Sequence, residues 1–264
     1  MIRMPMDDGG PTPVRRLARH ATLHRIGARL YAPAGAAAFV ASLVYFAYAY
    51  GVRFGATGQP LTTVGIVGGL AVNTGLFTVF ALHHSLLARS GGKRLAACHL
   101  PDGLERATYV WVASILFALT CAWWQPLPGA LYRADGLARA VGFALQAAGG
   151  VLILRGGAVL DLRELAGIRQ AATPAAADGG GGQPSELRIR GPYRRLRHPL
   201  YAGLLLVLLG TPDMTYTRFC FALLSTAYIV AAIPWEERDM AARFGDRYDR
   251  YRGEVPWRLV PGIY

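Results

Sequence analysis

RGPYRRLRHPLYAG at residues 190–203 opens a pair of apolar runs that closes with PWEERD at residues 234–239. A Thr-Pro-Asp turn at residues 211–213 separates the two runs, which predicts a helical hairpin whose outer ends return to one membrane surface. The arginines and the histidine of the first end then lie beside the carboxylates of the second. Because a plain membrane anchor needs no such polar pairing, we expect the functional site at this end of the hairpin.

The first arm of the hairpin is expected to begin at Pro199, where a missing N–H group costs no helical hydrogen bond. The N–H groups of that first turn favour an anionic partner such as a carboxylate. Residues 200–209 rise only about 15 Å at about 1.5 Å per residue, against an apolar membrane core of about 30 Å. The arm therefore either continues through residues 213–217 or ends short of the far membrane surface.

Composition places the chain in a membrane. Its 264 residues are 53% hydrophobic and only 17% charged, with a mean hydropathy of +0.28, and soluble domains of this size are more polar. The net charge of +12 comes from arginines that flank the apolar runs instead of forming one basic face, so we expect no nucleic-acid partner. The three cysteines form no CxxC pair, and neither a disulfide framework nor a metal site is expected.

Apolar runs predict an all-α, polytopic membrane protein with about six transmembrane helices, the last two forming the hairpin. The runs occupy residues 34–50, 62–87, 107–124, 137–160, 200–209 and 219–233. Most of the 28 Lys and Arg residues then fall on the side that holds both termini, so the positive-inside rule predicts a cytoplasmic N-terminus and C-terminus. The fourth run is rich in glycine, which favours close helix packing in lipid.

Three motifs in the last third of the chain carry a family resemblance. They are Arg-His-Pro-x-Tyr-x-Gly at residues 197–203, a glutamate pair at residues 236–237, and Phe-Gly-x-x-Tyr-x-x-Tyr at residues 244–251. This C-terminal region resembles the isoprenylcysteine carboxyl methyltransferase superfamily, whose members are integral membrane enzymes that use S-adenosylmethionine.

Further segments narrow the resemblance to one branch. DLRELAGIRQ (161–170), TPDMT (211–215) and FALLSTAYI (221–229) are similar to the bacterial methanethiol S-methyltransferase branch. LFTVFALHHSLLAR (76–89) and LERATYVWVAS (104–114) are similar to that branch and to the related NnrU group. The resemblance implies S-adenosylmethionine-dependent methylation of a small thiol, with methanethiol to dimethyl sulfide as the specific reaction.

The apolar runs, the charge distribution and the linker composition predict how the chain is divided, and the resemblance implies which part binds the cofactor. Four parts are expected: a cytoplasmic N-terminal segment (1–30), four transmembrane helices (31–160), a cytoplasmic amphipathic segment with a flexible Gly/Ala-rich linker (161–190), and the cofactor-binding hairpin with a cytoplasmic tail (191–264). We expect a multi-pass protein of a bacterial inner membrane whose active site faces the cytoplasm. Its expected partners are a small thiol and the lipid bilayer, while the sequence leaves the oligomeric state open.

Ten residues are assigned to S-adenosylmethionine by the resemblance: Arg194, His198, Pro199, Tyr201, Gly203, Glu236, Glu237, Arg247, Tyr248 and Tyr251. The residue types suit the ligand, since Arg or His binds a carboxylate, Glu binds an ammonium group or ribose hydroxyls, and Tyr covers the adenine face. The alternative is that the arginines only set the membrane topology and that the glutamates pair with arginines at the helix end.

A second group of candidates concerns the substrate. His84 lies at the end of the second span, where a polar side chain is costly enough to suggest a function, and we expect it to act as a base or hydrogen-bond partner. An interfacial histidine bound to main chain or lipid headgroups is the alternative, and His83 stands beside it, so which of the two acts stays open. The resemblance places Arg169 and Gln170 at the mouth of the site, whereas a solvated amphipathic segment on the membrane surface is the alternative.

No GxGxxG motif follows a predicted strand, which excludes a soluble Rossmann-type methyltransferase and requires a cofactor bound within the helical bundle. Three other functions remain open. One is methylation of an isoprenylated cysteine or a phospholipid, which needs a lateral opening to the bilayer. Another is a membrane reductase with a similar Arg-His-Pro-x-Tyr region, and the third is a non-enzymatic NnrU-like protein that binds haem through His83, His84 or His198.

Overall fold

The structure, a computed structural model, describes residues 13–57, 62–88, 104–169 and 186–264. Within these ranges the chain forms α-helices, short 3-10 turns and one two-stranded antiparallel sheet. The helices are α1 (Pro13–Gly51), α2 (Thr63–Ala88), α3 (Glu105–Trp123), α4 (Gly136–Gly157), α5 (Leu162–Leu165), α6 (Pro199–Leu209), α7 (Tyr216–Phe244) and α8 (Asp246–Glu254). The strands are β1 (Ala130–Arg133) and β2 (Asp213–Thr215), which pair with Ala130 opposite Thr215.

Membrane-spanning length separates the helices into two groups. Among the described residues, α1 from Leu30 onward, α2, α3, α4 and α7 are long and apolar enough to cross a membrane, whereas α6 is apolar but has only 11 residues. The prediction of an all-α polytopic membrane protein is therefore confirmed. The first arm of the hairpin ends short, because Gly210 closes α6 and the chain turns into β2, which pairs with β1 from the connection between α3 and α4.

The second arm of the hairpin is longer than predicted. Thr215 caps α7 by accepting a hydrogen bond from the Arg218 N–H at 3.2 Å, and the helix continues through Pro234 to Phe244. Glu236 and Glu237 therefore lie on a helix beyond the apolar run. Consecutive helical residues point about 100° apart, so one glutamate faces the protein interior and its neighbour does not.

Glycines bring α4 and α6 into close contact, as the sequence predicted. A Cβ atom added at Gly149 would lie 2.5 Å from the Gly203 carbonyl oxygen, and one added at Gly203 would lie 2.7 Å from the Gly149 carbonyl oxygen. Gly142 and Gly156 extend the same face of α4, while a Cβ at Gly150 would meet no described atom within 4 Å. This contact fixes the position of the short helix α6, and with it the side chains at the start of that helix.

We call the end of the bundle at which α1 ends and α7 begins the far end. Polar side chains stabilise it by hydrogen bonds to main-chain carbonyl oxygens. Arg218 is 7% exposed and donates to the carbonyl oxygens of Tyr50 (3.0 Å), Gly51 (2.7 Å) and Asp213 (2.6 Å). Arg53 donates to the carbonyl oxygens of Cys121 and Ala122 at the end of α3. Since the last carbonyls of a helix have no partner within it, these two arginines cap α3 and α1.

Candidate active site

A cavity of about 390 Å³ occupies the opposite end of the bundle, where α6 begins and α7 ends. We call this end of the bundle the site end. Its walls come from α2, α3, α6, α7 and α8 and from the segments that follow α4 and precede α6. The lining includes Tyr228, Glu236 and Arg243 along α7. Because a helix rises about 1.5 Å per residue, these positions span about 22 Å. The cavity therefore reaches from the end of α7 well into the bundle.

A buried ion-pair cluster around Glu237 forms one side of this end. Glu237 is 4% exposed; its Oε1 accepts a hydrogen bond from Arg197 Nε at 2.7 Å and lies 3.3 Å from His198 Nε2. Its Oε2 accepts from Arg258 Nε (3.1 Å) and Nη2 (2.9 Å). These hydrogen bonds raise the pKa of Arg258 above its ordinary value. Each buried charge is thus paired, which is the condition for placing ions in a low-dielectric interior.

Arg197 also ties the C-terminal tail to the start of α6. Its Nη1 donates to the carbonyl oxygens of Val255 and Pro256, both at 2.8 Å. The main-chain N–H groups of Arg197 and His198 donate to the carbonyl oxygens of Trp257 and Arg258 at 2.9 and 3.0 Å. The tail after α8 therefore adds to the wall of the site through both side-chain and main-chain bonds.

His198 and Glu236 form the polar part of the cavity lining. His198 Nδ1 lies 3.7 Å from Glu236 Oε2, and its ring stacks on that of Tyr201 at a centroid distance of 5.7 Å. Glu236 contacts the Tyr201 hydroxyl, and its side chain is 44% exposed. The carboxylate of Glu236 therefore faces the cavity, whereas that of Glu237 is enclosed by its cationic partners.

Tyrosines from α8 and from the 3-10 turn that precedes α6 (Gly191–Arg194) form a further part of the lining. Tyr193, Tyr248 and Tyr251 line the cavity, and the Tyr251 hydroxyl donates to the Tyr193 carbonyl oxygen at 2.7 Å. Burial raises the pKa of Tyr251 to about 12, so its hydroxyl is neutral throughout the physiological range. Flat aromatic rings of this kind suit a planar heterocycle.

The inner end of the cavity lies between α2, α3 and α7. Tyr109 Oη is 2.9 Å from His84 Nδ1, and Ser85 Oγ is 3.0 Å from Tyr228 Oη. His84 lines the cavity. His83 is not among the lining residues; its ring stacks on Tyr109 at 5.6 Å, and both ring nitrogens lack a hydrogen-bond partner in the described part of the chain. Geometry thus favours His84 over His83 as the residue that meets a ligand.

The residues predicted for the site occupy different positions in the structure. Six of them line the cavity: His84, His198, Tyr201, Glu236, Tyr248 and Tyr251. Pro199 is the buried first residue of α6, as expected, and Gly203 packs against Gly149 of α4. Arg194 is exposed. Arg247 lies 3.9 Å from Glu186, and Arg169 pairs with Asp161 at 3.0 Å. Gln170 lies outside the described residues.

Several lining residues were missed by the sequence reasoning. Arg106 and Tyr109 belong to α3, and their spacing of three residues places them on one helix face. That spacing was a usable signal, but nothing in the sequence indicates that this face meets α2 and α7. Arg197 was expected beside the glutamates of the second arm, which its hydrogen bond to Glu237 confirms, but it was not assigned a part in the site.

Comparison with known proteins gives a consistent set of relatives. No protein-family model matches the chain, and no solved structure matches it. Methanethiol S-methyltransferase 2 of Bradyrhizobium diazoefficiens is 35% identical over 248 residues, which cover 91% of this chain and 92% of that protein. Methanethiol S-methyltransferase of Mycobacterium tuberculosis is 34% identical over 235 residues, or 84% of this chain and 94% of that protein. The nurim homolog of Drosophila melanogaster is 30% identical over 167 residues, or 61% of this chain and 66% of that protein.

Proposed function

Since the chain belongs to the methanethiol S-methyltransferase family, we propose that it uses S-adenosylmethionine to methylate methanethiol, giving dimethyl sulfide. The observation that carries this proposal is that one cavity contains both the polar and aromatic groups of the site end and His84 at the inner end. A reaction that joins a large polar donor to a small apolar acceptor needs these two environments side by side. The relatives lend no support to a lipid methyltransferase, a reductase or a haem-binding protein.

The cavity suits S-adenosylmethionine in size and chemistry. A volume of about 390 Å³ is within the range of small-molecule sites. We assign the ammonium group of the ligand to Glu236, and its carboxylate to the N–H groups in the first turn of α6, at Leu200 and Tyr201. We assign the adenine ring to the tyrosines of α8 and of the turn before α6. When bound, the ligand supplies an electrophilic methyl group.

The ion-pair cluster has an indirect part in this proposal. Glu237 has both oxygens occupied by Arg197, His198 and Arg258, so it orients the groups around it instead of contacting the cofactor. It holds His198, and thereby the start of α6, in place. Loss of Glu237 is therefore expected to disturb the cofactor site through the position of α6.

Binding of S-adenosylhomocysteine to detergent-purified protein tests the cofactor assignment. We expect micromolar binding by wild type and at least about tenfold weaker binding by Glu236→Gln, which corresponds to about 1.4 kcal/mol. Asp213→Asn is the matched control, because it neutralises a carboxylate that pairs with Arg139 at the far end. Headspace detection of dimethyl sulfide from methanethiol tests the reaction. Absence of binding by well-folded wild type, or a haem absorbance band, would overturn the proposal.

We also propose that the site end faces the cytoplasm of a bacterial cell, in the inner membrane. The support is the positive-inside distribution of Lys and Arg and the presence of S-adenosylmethionine in the cytoplasm. A cysteine placed at exposed Arg250 should resist a membrane-impermeant thiol reagent in intact cells and react after lysis. Wild type, with its native cysteines, is the control, and labelling of Arg250→Cys in intact cells would reverse the proposed orientation.

A further inference from the structure

A group of three side chains at the inner end of the cavity has no part in the roles assigned above to the cofactor. The Arg106 guanidinium carbon lies 5.0 Å from the centroid of the Tyr109 ring, and the Tyr109 hydroxyl lies 2.9 Å from His84 Nδ1. Arg106 Nε donates to the Leu165 carbonyl oxygen at 2.7 Å, which fixes the guanidinium against α5. All three residues line the cavity.

A thiol acceptor poses a chemical problem that this group answers. The thiolate, not the thiol, is the effective nucleophile, and thiols are mostly protonated at neutral pH. An anionic sulfur enclosed among apolar helices is also costly unless a positive charge lies near it. The site therefore needs a group that receives the proton and a cation that offsets the charge of the sulfur.

We propose that Arg106, Tyr109 and His84 hold the acceptor as its thiolate, with Arg106 as the counter-charge and the Tyr109–His84 pair as the proton acceptor. This role rests on the proposed function. It makes the acidity of the thiol acceptor, as well as its size, a determinant of substrate specificity. Thioethers and alcohols do not ionise near neutral pH, so the site does not accept them as methyl acceptors. Arg106 and Tyr109 become specificity-determining residues of the reaction.

Proton transfer starts from neutral His84 with its hydrogen on Nε2 and Nδ1 free to accept. The thiol S–H bond breaks, its proton passes to Tyr109 Oη, and the hydroxyl proton of Tyr109 passes to His84 Nδ1. The freed electron pair on sulfur forms the new S–C bond as the methyl group leaves the sulfonium, so an anion and a cation become two neutral thioethers. The imidazolium then releases its proton to solvent.

The charged and titratable groups around this pair come from five elements, one of them α6, whose Tyr201 interacts electrostatically with Tyr109. His83 lies on α2 beside His84, Arg106 lies on α3 with Tyr109, and Tyr228 of α7 approaches His84 with a ring-centroid distance of 6.3 Å. Glu164 of α5 is 8% exposed and interacts electrostatically with Arg106. Phe80, which stacks on His84 at 5.6 Å, adds an apolar wall. The cation nearest to the pair is therefore Arg106.

Two thiols of similar size and different acidity test the proposal. Ethanethiol has to be deprotonated in the site, whereas trifluoroethanethiol is far more acidic because fluorine withdraws electrons. Tyr109→Phe keeps the ring beneath Arg106 and removes only the hydroxyl. We expect it to lower kcat for ethanethiol about 100-fold and kcat for trifluoroethanethiol less than about tenfold, the scale of general base catalysis. Tyr132→Phe, which removes a hydroxyl at the far end, is the matched control and should change neither rate.

Charge at Arg106 is tested separately by Arg106→Gln and Arg106→Lys. Glutamine keeps an N–H donor at the position of Arg106 Nε, which bonds to the Leu165 carbonyl oxygen, but only the lysine keeps the positive charge. We expect Arg106→Gln to lower the rate with both thiols at least about tenfold and Arg106→Lys to recover most of that loss. Ethanethiol added to the S-adenosylhomocysteine complex should show the ultraviolet absorbance of a thiolate with wild type and not with Arg106→Gln.

The outcomes separate this proposal from the proposed function. If wild type methylates neither these two thiols nor methanethiol, the proposed function itself fails. If it methylates methanethiol alone, acceptor size and not acidity sets specificity, and this inference is overturned. If wild type methylates both thiols but Tyr109→Phe loses the same factor with each, the hydroxyl is structural and this inference alone is overturned. Absence of thiolate absorbance in the wild-type complex overturns it as well. Unchanged binding of S-adenosylhomocysteine by the variants shows that they are folded.

Discussion

Buried arginines at the far end of the bundle donate to main-chain oxygens, whereas those at the site end surround a carboxylate. Arg218 bonds to the carbonyl oxygens of Tyr50, Gly51 and Asp213. Arg197 and Arg258 bond to Glu237, and Arg197 also bonds to two carbonyl oxygens of the tail. Both ends satisfy their buried cations, but within the described ranges only the site end contains buried charges of both signs beside a cavity.

The difference shows which polar residues belong to the scaffold. A main-chain carbonyl is uncharged and fixed by its helix, and at the far end Arg53 and Arg218 close helix ends by binding such carbonyls. A buried carboxylate is held only while its cationic partners stay in place. The far end is therefore a structural cap, and the site end is a region in which one substitution alters charge balance, helix position and ligand binding together.

Glu237→Ala is expected to have the largest effect, because it leaves buried Arg197 and His198 and half-buried Arg258 without their shared carboxylate. We expect a loss of about 4 kcal/mol in stability, the scale for breaking a buried ion pair. Binding of S-adenosylhomocysteine should be lost as well. Thermal unfolding in detergent and calorimetric titration measure the two effects. Asp213→Asn, in a partly exposed pair, should cost less than about 1 kcal/mol. Similar costs for both variants would remove the distinction between the two ends.

Arg218→Met should separate stability from function. It leaves three main-chain oxygens at the far end without a donor, and we expect a loss of about 3 kcal/mol. Because these groups lie at the end of α7 opposite the cavity, the variant that remains folded at low temperature should bind S-adenosylhomocysteine with wild-type affinity. Arg139→Met, at an exposed pair, is the control for loss of an arginine. A large drop in ligand affinity would show that the two ends are coupled.

Gly149→Ala tests how the short helix is positioned. The added Cβ would meet the Gly203 carbonyl oxygen at 2.5 Å, so α4 and α6 must move apart, at an expected cost of about 2 kcal/mol. Since α6 carries His198 and Tyr201, ligand affinity should fall too. Gly150→Ala is the matched control, with no described atom within 4 Å of its Cβ. If the two variants unfold at the same temperature, the glycine contact is not what positions α6.

Tyr251→Phe is expected to have the smallest effect, since it removes one hydrogen bond, to the Tyr193 carbonyl oxygen, worth about 1 kcal/mol. The effect that distinguishes this variant is its stability at alkaline pH. The raised pKa means that stability from this group is fully present below pH 10 and lost as pH rises through about 12. The fall in unfolding temperature between those pH values should therefore be shallower in Tyr251→Phe than in wild type. An equally steep fall would contradict the assignment.

The sequence predicted the long helices well, because each is an apolar run bounded by polar or Gly/Pro-containing segments. It also predicted that both ends of the hairpin would meet, and the 3.3 Å distance between His198 and Glu237 bears this out. It predicted α7 too short, since its turns beyond residue 233 are polar and carry no apolar periodicity. Nothing in the local pattern distinguished Glu236, which faces the cavity, from its buried neighbour.

Sequence by itself determined the membrane class, the approximate helix positions, the glycine face of α4 and the family, because these depend on composition, local periodicity and matched motifs. Tertiary structure alone decided which side chains of other helices join the site at the end of the hairpin, and which member of each polar cluster is buried. On α3, Arg106 and Tyr109 lie beside His84 of α2, the partner of Tyr109. Arg197 pairs with Glu237, while Glu236 faces the cavity. Such pairings depend on how helices pack against one another, and the sequence pattern within any single helix carries no record of its partner.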